Sequence, residues 1–276
     1  YTMPDFSIIT CVSDADVYDQ CLLRSVNKMR GDYDIEVIPI VNNDNRYSAS
    51  NALNIGIDVS NSDVLVFAHQ DVSLLDDWFA KLDGAIKSLP RNWGALGSAG
   101  ISTKYARCDI GDWGGYLKEK EMIVGTVYES EESLSNAPYW DGEKKITQVH
   151  CVDECLMVLN KKTGLKFDKM FNGFHFYGVD VCLQARSAGH TVWSSYLPII
   201  HHGRHSASFS GDKKYWAYMR MLHRKWHMRF PELLGTHMHW SDGELTSYIP
   251  ITLSSSDGSH IVVKSMGLSN VKLNMG

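Results

Sequence analysis

The sequence predicts an α/β protein with an open, mostly parallel sheet and helices on both faces. Short apolar runs alternate with helical patterns through the first hundred residues, which is typical of this class. A strand, a helix and a second strand within about 40 residues form a βαβ unit with parallel strands. With 276 residues, 44% of them hydrophobic, the chain can bury a core without disulfides or a structural metal.

The predicted elements can be placed in chain order. Strands that are nearly continuous apolar runs are predicted at 6–12, 35–41, 64–68, 147–159 and 191–200. Helices with apolar residues at helical spacing are predicted at 18–30, 48–60, 76–88, 179–188 and 213–230. Residues 101–136, which carry glycines and an acidic run, are expected to form a solvated excursion. The main α/β domain is predicted over 1–234, and a C-terminal extension with β character over 235–276.

Composition and charge exclude several classes of protein. The 27 Lys and Arg residues against 32 Asp and Glu give a net charge of −5, which argues against a broad nucleic-acid surface. Apolar runs fall short of the roughly 18 to 20 residues of a membrane span, and the amino terminus lacks a signal-peptide pattern. Six scattered cysteines suit reduced thiols, so we expect a cytoplasmic protein.

A polar motif directly follows the third strand. His69, Gln70 and Asp71 come after the run 64–68, and sheets of this class bind ligands outside the carboxyl ends of their strands. A carboxylate at this edge can hold a divalent cation that neutralises a diphosphate. The alternative is that Asp71 only caps the following helix, and the motif by itself favours neither interpretation.

Two later segments also carry polar side chains that can do chemistry. An aromatic-rich loop brings Asp180 into the first turn of a helix, where it can act as a general base or, slightly favoured by spacing alone, as a cap. His201, His202 and His205 follow the strand 191–200 and can be ligands or surface residues. Because adjacent strand residues point to opposite faces, at most one of His201 and His202 is expected to face Asp71.

Taken together, these motifs resemble those of GT-A fold glycosyltransferases, specifically family 2-like enzymes of a bacterial branch with a His-Gln-Asp variant. The resemblance covers about residues 5–230. Residues 6–14 are similar to the first nucleotide-binding strand, 52–57 to the Arg-Asn-x-Gly-Ile segment, 64–72 to the strand that ends in Asp-x-Asp, and 174–189 to the acidic loop and helix.

The resemblance implies a metal-dependent and inverting transfer of a sugar from a UDP-, GDP- or dTDP-sugar to a glycan or lipid-linked acceptor, in surface polysaccharide or glycoconjugate synthesis. Asp71 and His202 would hold Mn²⁺ or Mg²⁺, with Mn²⁺ favoured, and Asp180 would be the base. Nucleotide-binding positions would be Thr10, Val12, Asn43, Asp44, Asn54, His69 and Asp71. Acceptor-side positions would be Asp153, Glu154, Phe174, Tyr177 and Trp193.

The chain departs from the family pattern at three positions. His69 stands where the first Asp of Asp-x-Asp is usual, and Tyr177 and Gly178 replace acidic residues common before Asp180. These departures keep Asp153 and Glu154 as reserve candidates for the base. They also leave a catalytically inactive glycan-binding or scaffold protein as the alternative function.

Two other interpretations receive less weight. A histidine-rich metal hydrolase is disfavoured because His223 and His227 have helical ligand spacing without an intervening Glu. The helix 213–230 could rest its cations on an anionic membrane surface, giving at most peripheral contact. We favour the ordinary arrangement, in which its apolar side packs on the core.

Overall fold

The computed structural model describes residues 3–104, 123–131, 134, 140–142, 144–203, 213–236, 238–241, 244–247, 251–254 and 260–263. Its centre is a twelve-stranded sheet with the order β2-β1-β3-β10-β5-β11-β9-β6-β7-β12-β4, and β8 pairs with β7. The strands are β1 (Phe6–Val12), β2 (Ile35–Val41), β3 (Val64–Ala68), β4 (Val72–Leu74), β5 (Trp93–Gly97), β6 (Ala99–Ser102), β7 (Ile123–Tyr128), β8 (Trp140–Asp141), β9 (Thr147–Val152), β10 (Leu156–Asn160), β11 (Thr191–Ser194) and β12 (Ile199–His201).

The direction of the strands differs along this sheet. β1 is parallel to both β2 and β3, which confirms the predicted βαβ unit. β5 with β11 and β7 with β12 are also parallel, but β10 runs antiparallel to both of its neighbours, and β4, β6, β8 and β9 form only antiparallel pairs. The sheet is therefore mixed, and the expectation of a mostly parallel one is wrong. A buried apolar run has the same pattern in either direction, so sequence periodicity could not show this.

Several strand boundaries also differ from the prediction. The run 147–159 is two strands, because the chain turns at 153–155, and the run 191–200 is two strands separated by a segment that contains Pro198. The excursion expected at 101–136 contains the buried strand β7, so it is not solvated there. Residues 105–122 and most of 132–139 lie outside the described residues.

The predicted helices are all present. The first, α1, is continuous and consists of Ala15–Tyr18, a π-helical segment Asp19–Leu23 and Arg24–Met29. The other helices are α2 (Ala49–Val59), α3 (Trp78–Ser88), α4 (Tyr177–Ser187) and α5 (Lys213–Trp226). None of these described helices is long and apolar enough to cross a membrane.

Local side-chain chemistry explains where these helices begin. Asp14 accepts a hydrogen bond from the N–H of Val17, and Ser48 accepts one from the N–H of Asn51, so each caps its helix. Asp76 and Asp77, expected in the first turn of α3, instead precede it with positive φ angles of 50° and 52°. The helix therefore begins two residues later than predicted.

Helices cover both faces of the sheet, as the sequence predicted. Consecutive residues of β1 and β3 enter different hydrophobic clusters, because strand side chains alternate between faces. One cluster contains residues of α1 and α3, such as Leu22 and Trp78. The other contains residues of α2, α4 and α5, such as Leu53, Leu183 and Leu222.

The last helix packs on the core with its apolar side, as we favoured. Tyr215, Met219, Leu222 and Trp226 are buried, whereas the cations on the opposite side, such as Arg220, are exposed. After it come β13 (Glu232–Leu234), β14 (Met238–Ser241) and β15 (Glu244–Ser247), which form a small antiparallel sheet, and the pair β16 (Ile251–Ser254) and β17 (His260–Val263). β13 and β14 are paired across residue 234, and the domain boundary there stays a prediction.

Two glycines inside helices give a matched test of the packing between α2 and β1. A Cβ on Gly56 would overlap the Ile9 side chain, whereas a Cβ on Gly84 in α3 would meet no atom within 4 Å. We expect Gly56→Ala to lower the free energy of unfolding by about 1 to 3 kcal/mol, because a packed core cannot absorb the extra methyl group. Gly84→Ala should raise it by up to about 1 kcal/mol through helix propensity.

Urea denaturation followed by circular dichroism measures both changes. Equal unfolding midpoints for the two variants would contradict the close contact of α2 with β1.

Candidate active site

A cleft of about 370 Å³ opens where β1 and β3 end. This volume lies within the range of small-molecule sites, and the place is where α/β sheets bind ligands. Its walls come from the ends of both strands, the start of α2, the turn after β9, the loop before α4 and the end of β12. The lining residues are Cys11, Ser13, Ala49, Leu53, Phe67, Ala68, His69, Gln70, Asp71, Glu154, Phe174, His175, Tyr177, His201 and Gly203.

Three of the lining residues could hold a metal ion. His69, Asp71 and His201 each offer a ligand atom, and these atoms all lie within 4.8 Å of one another. His201 Nε2 is 3.5 Å from Asp71 Oδ1 and 3.4 Å from His69 Nδ1. The antiparallel register of β12 with β4 pairs His201 with Val72 and so brings its imidazole to Asp71.

This register corrects the expected pairing of Asp71 with His202. The backbone N–H of His202 donates to the Asp71 carbonyl at 2.9 Å, but its ring nitrogen Nε2 lies 2.9 Å from the Ser73 hydroxyl. Strand alternation decides between the neighbours: one imidazole faces the carboxylate of Asp71 and the other does not. His205 lies outside the described residues.

The electrostatics of the cluster favour an anionic carboxylate beside a neutral imidazole. Burial would raise the pKa of Asp71, but the hydrogen bond and charge of His201 outweigh it and lower the pKa to about 2. Burial, followed by the charge of His201, lowers the pKa of His69 to about 4, so its ring is neutral at pH 7. Burial lowers the pKa of His201, yet the hydrogen bond to Asp71 more than compensates, and its pKa is raised.

The donor set fits a divalent transition metal. Two imidazoles and one carboxylate suit Mn²⁺ or Zn²⁺ better than Mg²⁺, which prefers oxygen ligands. The Tyr177 hydroxyl lies 2.9 Å from His69 Nε2, which leaves Nδ1 directed at the cluster. Such an outer contact orients an imidazole ligand and fixes its tautomer.

Asp180, the expected base, lies outside the cleft and is fully buried. Its Oδ1 accepts hydrogen bonds from Lys225 Nζ and from the Trp226 indole N–H, both at 2.7 Å, and its Oδ2 accepts one from Gln184 at 2.8 Å. Lys225 also donates to Asp168 at 2.6 Å. This enclosed carboxylate joins α4 to α5 and does not face the cleft, so its position does not support the predicted role of Asp180 as base.

Glu154, one of the two reserve candidates, does line the cleft and is half-buried. Its Oε1 accepts a hydrogen bond from the Gly178 N–H at 3.0 Å. Burial, and then the neighbouring charge of Asp153, raise the pKa of Glu154 to about 8. The Asp153 carboxylate instead holds the turn together, because it accepts hydrogen bonds from the Cys155 N–H and the Thr236 hydroxyl.

Most residues expected at the nucleotide do not line the cleft. Thr10 and Val12 are buried in β1, and Asp44 pairs with Arg46 on the surface. Asn43 is exposed in the loop after β2. Asn54 is buried, and its side-chain amide accepts a hydrogen bond from the Phe167 N–H and donates one to the Phe167 carbonyl. None of these five residues lines the cleft.

On the acceptor side, Tyr177 and Phe174 line the cleft, and Phe174 is 51% exposed. Trp193 lies in β11, where its indole N–H donates to the Thr191 hydroxyl at 2.8 Å. It packs against the core on the α1 side of the sheet and does not line the cleft.

Sequence reasoning gave Gln70 no role, yet it connects two walls of the cleft. Its Oε1 accepts hydrogen bonds from the N–H groups of Ser13 and Asp14 at 2.8 and 3.0 Å, and its Nε2 donates to the Ser13 hydroxyl. The loop after β1 is thereby tied to the His-Gln-Asp motif. The only signal in the sequence is that Gln70 lies between two candidate ligands.

A mixed sheet with helices on both faces, and with a cleft and a His-Asp-His cluster at its strand ends, defines an α/β protein with a candidate metal site. Residues 7–220 match the sequence model of the family described as "Glycosyltransferase like family". This match covers more than half of the chain, which therefore belongs to that family. The resemblance to a glycosyltransferase family is confirmed at the level of this family, and the His-Gln-Asp branch stays a prediction.

Individual relatives are distant. "ATP synthase subunits region ORF 6" of Fuscovulum blasticum is 23% identical over 184 residues, which are 66% of this chain and 65% of that protein. The chain thus spans just under two thirds of the length of this curated relative. The name of this relative states no activity.

Three solved glycosyltransferases show partial structural similarity. The catalytic domain of Drosophila beta1,4galactosyltransferase 7, in complex with xylobiose, has a TM-score of 0.44 and 10% identity over 76% of this chain and 74% of that one. The mannosyltransferase PcManGT from Pyrobaculum calidifontis, in complex with GDP-Man and Mn²⁺, has a TM-score of 0.47 and 12% identity over 79% of this chain and 60% of that one. GalNAc-T7, in complex with UDP, GalNAc and Mn²⁺, has a TM-score of 0.48 and 10% identity over 81% of this chain and 49% of that one.

The enclosed ion pair of Asp180 predicts a stability effect that an exposed pair does not share. Asp180→Asn leaves buried donors facing a neutral amide, so we expect the free energy of unfolding to fall by about 3 kcal/mol. Asp58, which pairs with Lys166 on the surface, is the control: Asp58→Asn should cost less than about 1 kcal/mol. Urea unfolding measures both. An Asp180→Asn protein as stable as the wild type would contradict the structural role.

Proposed function

We propose that the protein transfers a sugar from a nucleoside diphosphate sugar to a hydroxyl group of an acceptor, with a divalent cation held by His69, Asp71 and His201. One observation carries this proposal: three ligand atoms within 4.8 Å of one another at the wall of a cleft of suitable size. Membership of the glycosyltransferase-like family supplies the reaction class.

Each residue at this wall has a distinct part in binding the donor. The bound ion would supply positive charge that stabilises the departing diphosphate. Asp71 would contribute the negative ligand, and His69, oriented by Tyr177, would contribute a neutral one. Gln70 keeps the loop after β1 in place beside them.

The carboxylates of the cleft can serve the inverting reaction that the family resemblance implies. Among the described residues that line it, only Asp71 and Glu154 carry carboxylates, and Asp71 belongs to the metal cluster. One remaining carboxylate suffices to accept a proton in a single displacement.

The nature of the metal, the acceptor and the cellular site are also part of the proposal. Two imidazole ligands favour Mn²⁺ over Mg²⁺. The half-exposed Phe174 ring at the cleft can cover the apolar face of a sugar of a glycan or lipid-linked acceptor in polysaccharide or glycoconjugate synthesis. The five cysteines of the described residues are free thiols, which supports the cytoplasm as the compartment.

The proposed reaction is tested with a panel of UDP-, GDP- and dTDP-sugars, each incubated with the protein and Mn²⁺ while release of the nucleoside diphosphate is measured. We expect at least one donor to be consumed, and chelation of the metal to abolish its consumption. Asp71→Asn should abolish it as well, since it removes the charged ligand. No release from any donor, with or without simple sugar acceptors, would contradict the function.

The neighbouring histidines provide a matched test of the metal site. His201→Ala removes a ligand, so we expect Mn²⁺ affinity to fall by at least about 100-fold, beyond the effect typical of outer-shell changes. His202→Ala, which removes the ring beside Ser73, should leave Mn²⁺ affinity within about threefold, because that ring faces away from the cluster. Titration calorimetry with MnCl₂ and a nucleoside diphosphate gives both values. The reverse order of effects would place the metal at His202.

A further inference from the structure

We propose that Glu154 takes the proton from the acceptor hydroxyl, and that Gly178 provides the space which the Glu154 side chain fills. The inference rests on the proposed transfer reaction and assigns its base. It moves the basic group from helix α4, where the sequence placed it, to the turn between β9 and β10.

The turn that carries Glu154 is fixed to the candidate metal motif. Cys155 accepts a hydrogen bond from the His69 N–H at 3.0 Å through its backbone carbonyl. β10, which begins at the next residue, then pairs with β3 along five residues. The position of the Glu154 backbone relative to His69 is therefore set by the sheet itself, and both side chains reach the same cleft.

The Glu154 carboxylate is also held by a hydrogen bond from the first turn of α4. The N–H of Gly178, in the first turn of α4, donates to Oε1 at 3.0 Å, and a helix N-terminus favours negative charge. This hydrogen bond opposes burial, which raises the pKa of Glu154 to about 8. A basic group is most effective when its pKa lies near the working pH.

The other carboxylates near the cleft have partners of their own. Asp71 belongs to the metal cluster, and Asp153 accepts hydrogen bonds from Cys155 and Thr236. Asp180 is enclosed by Lys225 and Trp226. Within the described part of the chain, Glu154 is thus the carboxylate that faces the cleft and is not bound in one of these networks.

Gly178 explains how a glutamate side chain fits at this place. A Cβ added at Gly178 would lie 2.7 Å from Glu154 Cγ and 3.2 Å from Met157 Sδ. A side chain at position 178 and the one at position 154 therefore compete for the same space. It follows that an aspartate at 178, combined with glycine at 154, would deliver a carboxylate to the same region from the helix side.

The step balances as a single displacement. The acceptor oxygen forms its bond to the anomeric carbon as the O–H bond breaks, and the proton goes to the Glu154 carboxylate. The bond from the anomeric carbon to the diphosphate oxygen breaks, and its electron pair leaves with the diphosphate. No other reactant is needed.

The experiment uses the full chain with Mn²⁺ and the donor that the wild type consumes fastest. We expect Glu154→Gln to lower nucleoside diphosphate release by at least about 100-fold, as for loss of a general base. The dissociation constant of the nucleoside diphosphate with Mn²⁺, measured by calorimetry, should stay within threefold. A rate within threefold of the wild type would overturn the assignment.

An exchange of positions separates the loss of a base from structural damage. Glu154→Gly should release nucleoside diphosphate as slowly as Glu154→Gln. The double variant, Glu154→Gly combined with Gly178→Asp, should release it at least about tenfold faster than Glu154→Gly alone. A double variant that binds the nucleoside diphosphate normally but recovers no rate would also overturn the assignment. If the wild type consumes no donor, the proposed function fails first, and that result is distinct from either of these.

Discussion

The candidate site depends on the antiparallel pairing of two three-residue strands. β4 follows the His-Gln-Asp motif directly, and β12 arrives from a distant part of the chain, with His201 opposite Val72. The hydrogen bond from the His202 N–H to the Asp71 carbonyl continues the same pairing. A slip of one residue would exchange the faces of the two histidines and remove an imidazole from the cluster. The geometry of the candidate metal site therefore depends on the stability of this short strand pairing.

Aromatic packing connects this cluster to the rest of the cleft. Phe67 of β3 packs edge-on against Phe167, and Phe167 packs in the same manner against Tyr177, with ring centroids 5.0 and 5.6 Å apart. Tyr177 in turn contacts His69 through its hydroxyl. Tyr177, the first residue of α4, thus orients a candidate ligand through an outer contact. This residue, expected on the acceptor side, acts on the cation side of the cleft.

The acidic residues show how partners decide the role of a carboxylate. Asp180 is fully buried and Glu154 is half-buried, but only Asp180 meets a cation, Lys225, together with further donors. The first becomes a structural ion pair between α4 and α5. Glu154 meets a backbone N–H in place of a cation, and burial keeps its pKa near neutrality. In the sequence, Asp180 in the first turn of α4 could be either a base or a cap, and only its surroundings separate the two roles.

The sequence by itself determined the elements whose causes are local. The first βαβ unit, the strand before His69 and the helix capped by Ser48 follow from short-range periodicity and capping, and the motif at the end of β3 marks the edge of the sheet where the cleft opens. Tertiary structure decided which histidine joins Asp71, which acid faces the cleft and which strands run antiparallel. Those outcomes depend on register and burial between residues far apart in the chain, as with His69 and His201, which are 132 positions apart. A strand pattern shows that neighbouring side chains alternate, but only the partner strand decides which of them faces the ligand.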